Sequence, residues 1–111
     1  MERVAEYKKL VGELIERYGA IQLPYGEVEN EVEIDHENGH YQLSSVGWRG
    51  SERIHGSVLH IDVKNNKIWI QHDGTDVGVA NELVDLGVPK EDIILAFYPL
   101  YKRPYTGFGV N

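Results

Sequence analysis

The sequence contains no cysteine. Disulfides, thiolate-ligated zinc and thiol catalysis are therefore excluded, and stability has to come from packing. Basic residues are scarce: 11 Lys and Arg stand against 18 Asp and Glu, a formal net charge of −7. That balance disfavours direct nucleic-acid contact, because a phosphate backbone is held by clustered cations. It suits a basic protein partner or a cation. No apolar run approaches the ~20 residues of a membrane span. The opening Met1-Glu2-Arg3-Val4-Ala5-Glu6 lacks the basic-then-apolar pattern of a signal peptide, so a cytoplasmic location is expected. A phosphate-binding loop and a dinucleotide fingerprint are both missing. Ser44, Ser45, Ser51 and Ser57 fall in expected strands and turns, none in a nucleophile elbow. No catalytic set and no cofactor are expected, and the chain reads as a non-enzyme.

What is present is ordinary globular material. The 111 residues, 41% apolar and 26% charged, make a single domain over 1–111. Val4, Tyr7, Leu10, Val11, Leu14, Ile15 and Tyr18 recur at helical spacing, and Gly19 is a natural stop. Leu23-Pro24-Tyr25-Gly26 reads as a linking turn. From Glu27 to Asp35 the period becomes two. Glu27, Glu29, Glu31, Glu33 and Asp35 interleave with Val28, Asn30, Val32 and Ile34, which predicts a strand with one acidic and one mostly apolar face. Asn38-Gly39 supplies positive φ for a hairpin. The return strand, His40 to Trp48, changes phase near Ser44-Ser45, which suggests a bulge.

A strand from Arg53 to Lys64 follows, then an Asn65-Asn66 turn and a return over Lys67 to His72. Pairing Lys64 with Lys67 sets Val63 opposite Ile68, Asp62 opposite Trp69, Ile61 opposite Ile70 and His60 opposite Gln71. Leu59, Ile61, Val63, Ile68 and Ile70 then face the core. His60, Asp62, Trp69 and Gln71 take the polar face, with His55 and His72 on the core side. A second helix is expected from about Asp76 to Leu86, capped by Gly87 and stopped by Pro89. Asp92 to Phe97 reads as a short fifth strand, and Tyr98 to Phe108 as an irregular aromatic tail. The order α-β-β-β-β-α-β gives an α+β fold, a mainly antiparallel five-stranded sheet with both helices on one face.

Four features invite a functional reading. His72-Asp73-Gly74-Thr75-Asp76 superficially resembles a phosphatase loop. Gln71 stands where the nucleophilic Asp belongs, however, and capping of the second helix by Asp73 or Thr75 explains the residue types. His55, His60 and His72 with Asp62 are metal-ligand types, and a metal-dependent enzyme is the corresponding alternative. The expected register keeps the three histidines from converging. The acidic row Glu27, Glu29, Glu31, Glu33 and Asp35 repeats every 6.6–7 Å or so. That spacing is close to the phosphate repeat of a DNA strand, so the row suits a decoy for a nuclease-like partner. A solvated strand face, whose charges also discourage edge aggregation, is the plainer explanation. The tail sets Lys102 and Arg103 among Tyr98, Tyr101, Tyr105 and Phe108, a composition typical of interfaces. Trp69, on the polar sheet face, needs cover from the tail or another chain. A homo-oligomer is expected from these aromatics.

Several strings in order resemble the XisI family, named for the fdxN-element excision controlling factor. They are Val46-Gly47-Trp48-Arg49-Gly50, Arg53-Ile54-His55-Gly56 and Ile68-Trp69-Ile70-Gln71-His72-Asp73-Gly74-Thr75. Ala80-Asn81-Glu82-Leu83, Gly87-Val88-Pro89-Lys90-Glu91-Asp92-Ile93 and Tyr105-Thr106-Gly107-Phe108 continue the pattern, so the resemblance spans nearly the whole chain. It implies a cyanobacterial-type accessory of developmentally regulated DNA excision. Such a protein acts with XisH, a companion of endonuclease-like fold, and indirectly with a site-specific recombinase. The family supplies no catalytic residues to carry over.

Overall fold

An 18-residue helix, α1 (Glu2–Gly19), opens the chain, because its apolar residues recur on one stripe. The structure is a computed structural model and describes residues 2–21, 27–75 and 78–111. The expected linking turn at Leu23–Gly26 and the expected helix start at Asp76 lie outside those residues. Four strands follow in a meander: β1 (Val28–Asp35), β2 (His40–Arg49), β3 (Glu52–Lys64) and β4 (Lys67–Asp73). Helix α2 (Val79–Asp85) then crosses to β5 (Ile93–Leu95), which pairs parallel with β4. The sheet order is β1-β2-β3-β4-β5, antiparallel except for the last pair. This is the α+β architecture expected from the pattern, with β5 shorter than the expected 92–97.

One sheet face meets the helices. Tyr7, Val11, Leu14 and Ile15 of α1 and Val79 and Leu83 of α2 pack with Tyr41, Leu43, Leu59, Ile61, Val63, Ile68 and Ile70 in one buried cluster. Two tyrosine–carboxylate bonds fasten the helices. Tyr7 Oη donates to Asp92 Oδ2 at 2.5 Å, and Tyr18 Oη donates to Glu82 Oε1. Arg17 adds a 2.7 Å ion pair to Glu82. Gly87, at φ 101, ends α2, and the Val88 amide bonds back to the Leu83 carbonyl at 3.0 Å.

The turns follow their residues. Asn65 and Asn66 both take positive φ, 54° and 63°, giving the tight turn expected between β3 and β4. The β1–β2 turn differs from the expected Asn-Gly pair. Among the described non-glycine residues only Asn65 and Asn66 have positive φ, so Gly39 (φ 70) alone carries the left-handed position there. Asn38 instead turns back, its side-chain amide donating to Asp35 Oδ2 at 2.9 Å and its backbone to Oδ1 at 3.1 Å.

Two irregularities alter the expected register. The first lies at Leu43/Ser44, where the phase of β2 predicted a bulge. The extra residue is Val58 on β3, because Leu43 pairs with Leu59 and Ser44 with Ser57. The second is in the β3–β4 hairpin. Lys64 to Ile61 pair as expected, but His60 faces His72 rather than Gln71, leaving Gln71 as the extra residue. His55 and His72 are consequently exposed instead of core-facing.

Candidate functional site

The sheet face away from the helices carries the features of interest. In the β1–β2 ladder, Glu29, Glu31, Glu33 and Asp35 stand level with Val46, Ser44, Gln42 and His40. The partners of the apolar row, Val32–Leu43 and Ile34–Tyr41, point to the core side. Strand alternation therefore sends the acidic row to the opposite, open face. Glu27, Glu29, Glu31 and Glu33 are exposed, and none of the four forms an ion pair among the described residues. Asp35 is different. It caps the hairpin turn, and the bonds from Asn38 hold its carboxyl below the usual range.

At the middle of that face, Asp62 is nearly buried, 7% exposed, and its carboxylate is fully engaged. His40 Nδ1 lies 2.9 Å and His60 Nε2 3.3 Å from Oδ1, while Gln71 donates to Oδ2 at 3.2 Å. The sequence grouped Asp62 with His55, His60 and His72 as metal-ligand types. The structure substitutes His40, which the β2–β3 register sets opposite Asp62, and leaves His72 outside. The signal was available in that register, but a bulge of unknown strand concealed it. Among the described residues no three His, Asp or Glu side chains are arranged to hold a metal.

The His72–Asp76 run, as far as it is described, is a capping device. Asp73 Oδ1 accepts from the Thr75 amide at 2.8 Å and from its hydroxyl at 2.6 Å. Asp73 Oδ2 accepts from the Val79 amide, the first of α2, at 2.9 Å. Thr75 Oγ1 accepts from the Gly78 amide at 3.2 Å.

The tail is more ordered than its composition suggested. It contains a 3-10 helix, Leu100–Tyr105, and Gly109 bridges to Ile94 beside β5. Arg103 is its clamp. Nε donates to the Tyr98 carbonyl at 3.0 Å and Nη1 to the Val110 carbonyl at 3.3 Å. Its guanidinium sits 5.8 Å from the Trp69 ring centroid. Lys64 lies 4.7 Å from the same ring, and the indole N–H donates to the Lys64 carbonyl at 3.1 Å. Trp69 thus receives cover within the chain. Phe108 also packs against the core, under Lys90. Tyr98, Tyr101 and Tyr105 remain outward, the last two 73% and 88% exposed. The site residues therefore divide into two surfaces, the acidic row at the β1 edge and the tail aromatics at the β5 edge, separated by the width of the sheet.

A helix-backed meander, a crossover to a parallel fifth strand and one open sheet face define a small α+β protein of open-sheet type. The sequence matches the XisI protein family over residues 1–110. The chain belongs to the XisI family. It is similar to a XisI-like protein from Anabaena variabilis ATCC 29413, with 42% identity over 97% of this chain and 99% of that one, at a TM-score of 0.90. It is also similar to the fdxN element excision controlling factor XisI of that organism, with 30% identity over 98% and 99% and a TM-score of 0.83. No protein of curated function matches. No helix among the described residues is long and apolar enough to cross a membrane.

Proposed function

We propose that the chain is a non-catalytic accessory of DNA-element excision that binds a XisH-like partner of endonuclease fold, and through it influences a site-specific recombinase. The carrying observation is the row of four exposed glutamates on an open sheet face, without ion-pair partners among the described residues, in a homologue of an excision controlling factor. Such a row is a ready surface for a basic protein. The polar groups that suggest chemistry are instead engaged with one another: Asp62 with His40, His60 and Gln71, and Asp73 with the start of α2. Co-purification with a XisH-like protein from the same source is the test. A stable complex is expected, and two folded proteins that do not associate would contradict the reading.

A second reading is favoured by the even spacing of the row. Glu29, Glu31 and Glu33 act as a decoy for the DNA-binding groove of a nuclease-like partner, which the chain then restrains. DNA should compete with the chain for the partner under this reading, and a ternary complex with DNA would exclude it. The outward Tyr98, Tyr101 and Tyr105 supply a separate surface for self-association.

A further inference from the structure

The outer edge of β1 has backbone groups to offer. β1 ends the sheet, and among the described residues no strand pairs with its far side. The Trp48 amide donates to the Glu27 carbonyl at 3.0 Å, in the same register as the β1–β2 ladder. Antiparallel alternation then turns the N–H and C=O groups of Glu29, Glu31, Glu33 and Asp35 toward β2, and those of Val28, Asn30, Val32 and Ile34 outward. The opposite edge is treated differently, since Gly109 bridges to Ile94 and closes part of it. A strand of eight residues with one open edge is a template for another strand.

The side chains beside this edge are also incompletely covered. On the helix side, Val32 is 42% and Ile21 55% exposed, and Ile34 is half-buried. α1 approaches Val32 closely at Gly19, where an added Cβ would strike the Val32 side chain. An apolar residue on an incoming strand would therefore lie against Val32 and extend the core.

Charge decides what that strand is. Any register that keeps apolar side chains toward the helices places odd-numbered positions of β1 beside the partner's open-face residues. A second copy of β1 brings Glu29, Glu31 and Glu33 to those places, in parallel or antiparallel pairing alike. Like charges directly opposite oppose pairing. A strand with Lys or Arg alternating with apolar residues satisfies both faces at once.

We propose that β1 accepts an added strand from a basic amphipathic segment of a partner, Lys or Arg matching the glutamates and apolar residues matching Val32 and Ile34. The proposal deepens the partner-binding reading above and rests on it. The acidic row selects the strand, while the free edge holds it.

The probe is a synthetic peptide of alternating Lys and Val, as long as β1, added to the isolated full chain. Binding is expected to weaken with salt, and amide exchange should slow at Val28, Asn30, Val32 and Ile34. A second peptide carries the same side chains with N-methylated amides on alternate residues, which removes its donors toward β1. It should bind about tenfold more weakly or worse, since several hydrogen bonds are lost. Equal binding of the two peptides, no binding of either, or unchanged exchange at those four amides overturns the proposal. So does a self-associated chain whose four amides are already protected. Because the peptide replaces the XisH-like partner, failure here with a successful co-purification removes edge pairing alone.

Discussion

Tyr7 and Asp92 stand 85 residues apart in sequence and 2.5 Å apart in space, phenol donating to carboxylate. Asp92 is 6% exposed, and its one ion-pair partner among the described residues is Arg3, at 3.6 Å. The bond ties the N-terminal helix to the segment that enters β5. Tyr7→Phe leaves the ring in the core but strips a donor from a nearly buried carboxylate. A loss of about 1–3 kcal/mol is expected in denaturant unfolding. Tyr101→Phe, on the exposed tail, should stay within about 0.5 kcal/mol of wild type.

Alkaline pH should act through three tyrosines. Burial first, then the neighbouring carboxylates Asp92 and Glu82, push the phenols of Tyr7 and Tyr18 up to about 12, and burial does the same for Tyr41. The unfolded chain ionises these groups near 10. Their contribution is therefore intact below 10 and is lost as pH rises through about 12. Phenolate absorbance should show a late phase in which these three ionise only as pH approaches about 12. A single ordinary phase would contradict the packing described.

The acid limb has a different owner. Burial alone would raise the Glu82 carboxyl, but the bonds from Tyr18 and Arg17 outweigh it and hold the group below its usual 4.5. A depressed carboxyl stabilises the fold above its unfolded value and loses that contribution as pH falls through the folded one. Glu82→Gln should flatten the acid side of the stability–pH curve while lowering stability near neutrality by about 1 kcal/mol. Thermal unfolding across pH 3–7 or so reads both effects.

Two glycines with the same backbone hand should respond differently to alanine. Gly39 (φ 70) and Gly50 (φ 65) both occupy left-handed positions. An added Cβ at Gly39 would run into the Val63 carbonyl, whereas at Gly50 it meets nothing within 4 Å. Gly50→Ala should cost about 1 kcal/mol, the backbone strain alone. Gly39→Ala should cost clearly more, because the β2–β3 ladder must shift. Equal losses in denaturant unfolding would show that the hairpin yields freely.

Much of the architecture was legible because period and turn chemistry agreed. The Glu27–Asp35 alternation made β1, Asn65-Asn66 made its turn, and Gly87 ended α2 where expected. The errors cluster at bulges. A phase change in β2 revealed an irregularity near Ser44, yet a local pattern cannot say which strand holds the additional residue, and it was Val58 on β3. At Gln71 the pattern showed nothing, and one unpaired residue brought His72 opposite His60 and onto the surface. The His40–Asp62 contact and both tyrosine–carboxylate bonds join distant segments, so no local spacing announces them. The tail showed the converse. Trp69 on a polar face demanded cover, and Arg103 supplied it from a segment that composition alone left irregular.

The acidic row is the surface on which the proposed function depends, and its glutamates make no ion pair among the described residues whose loss would disturb the fold. The most direct test is co-purification of a XisH-like protein with the wild-type chain and with a Glu29→Lys, Glu31→Lys, Glu33→Lys variant, each checked for an unchanged unfolding transition. Wild type should retain the partner and the folded variant should lose it. Equal retention of the partner by both would contradict an acidic-row interface.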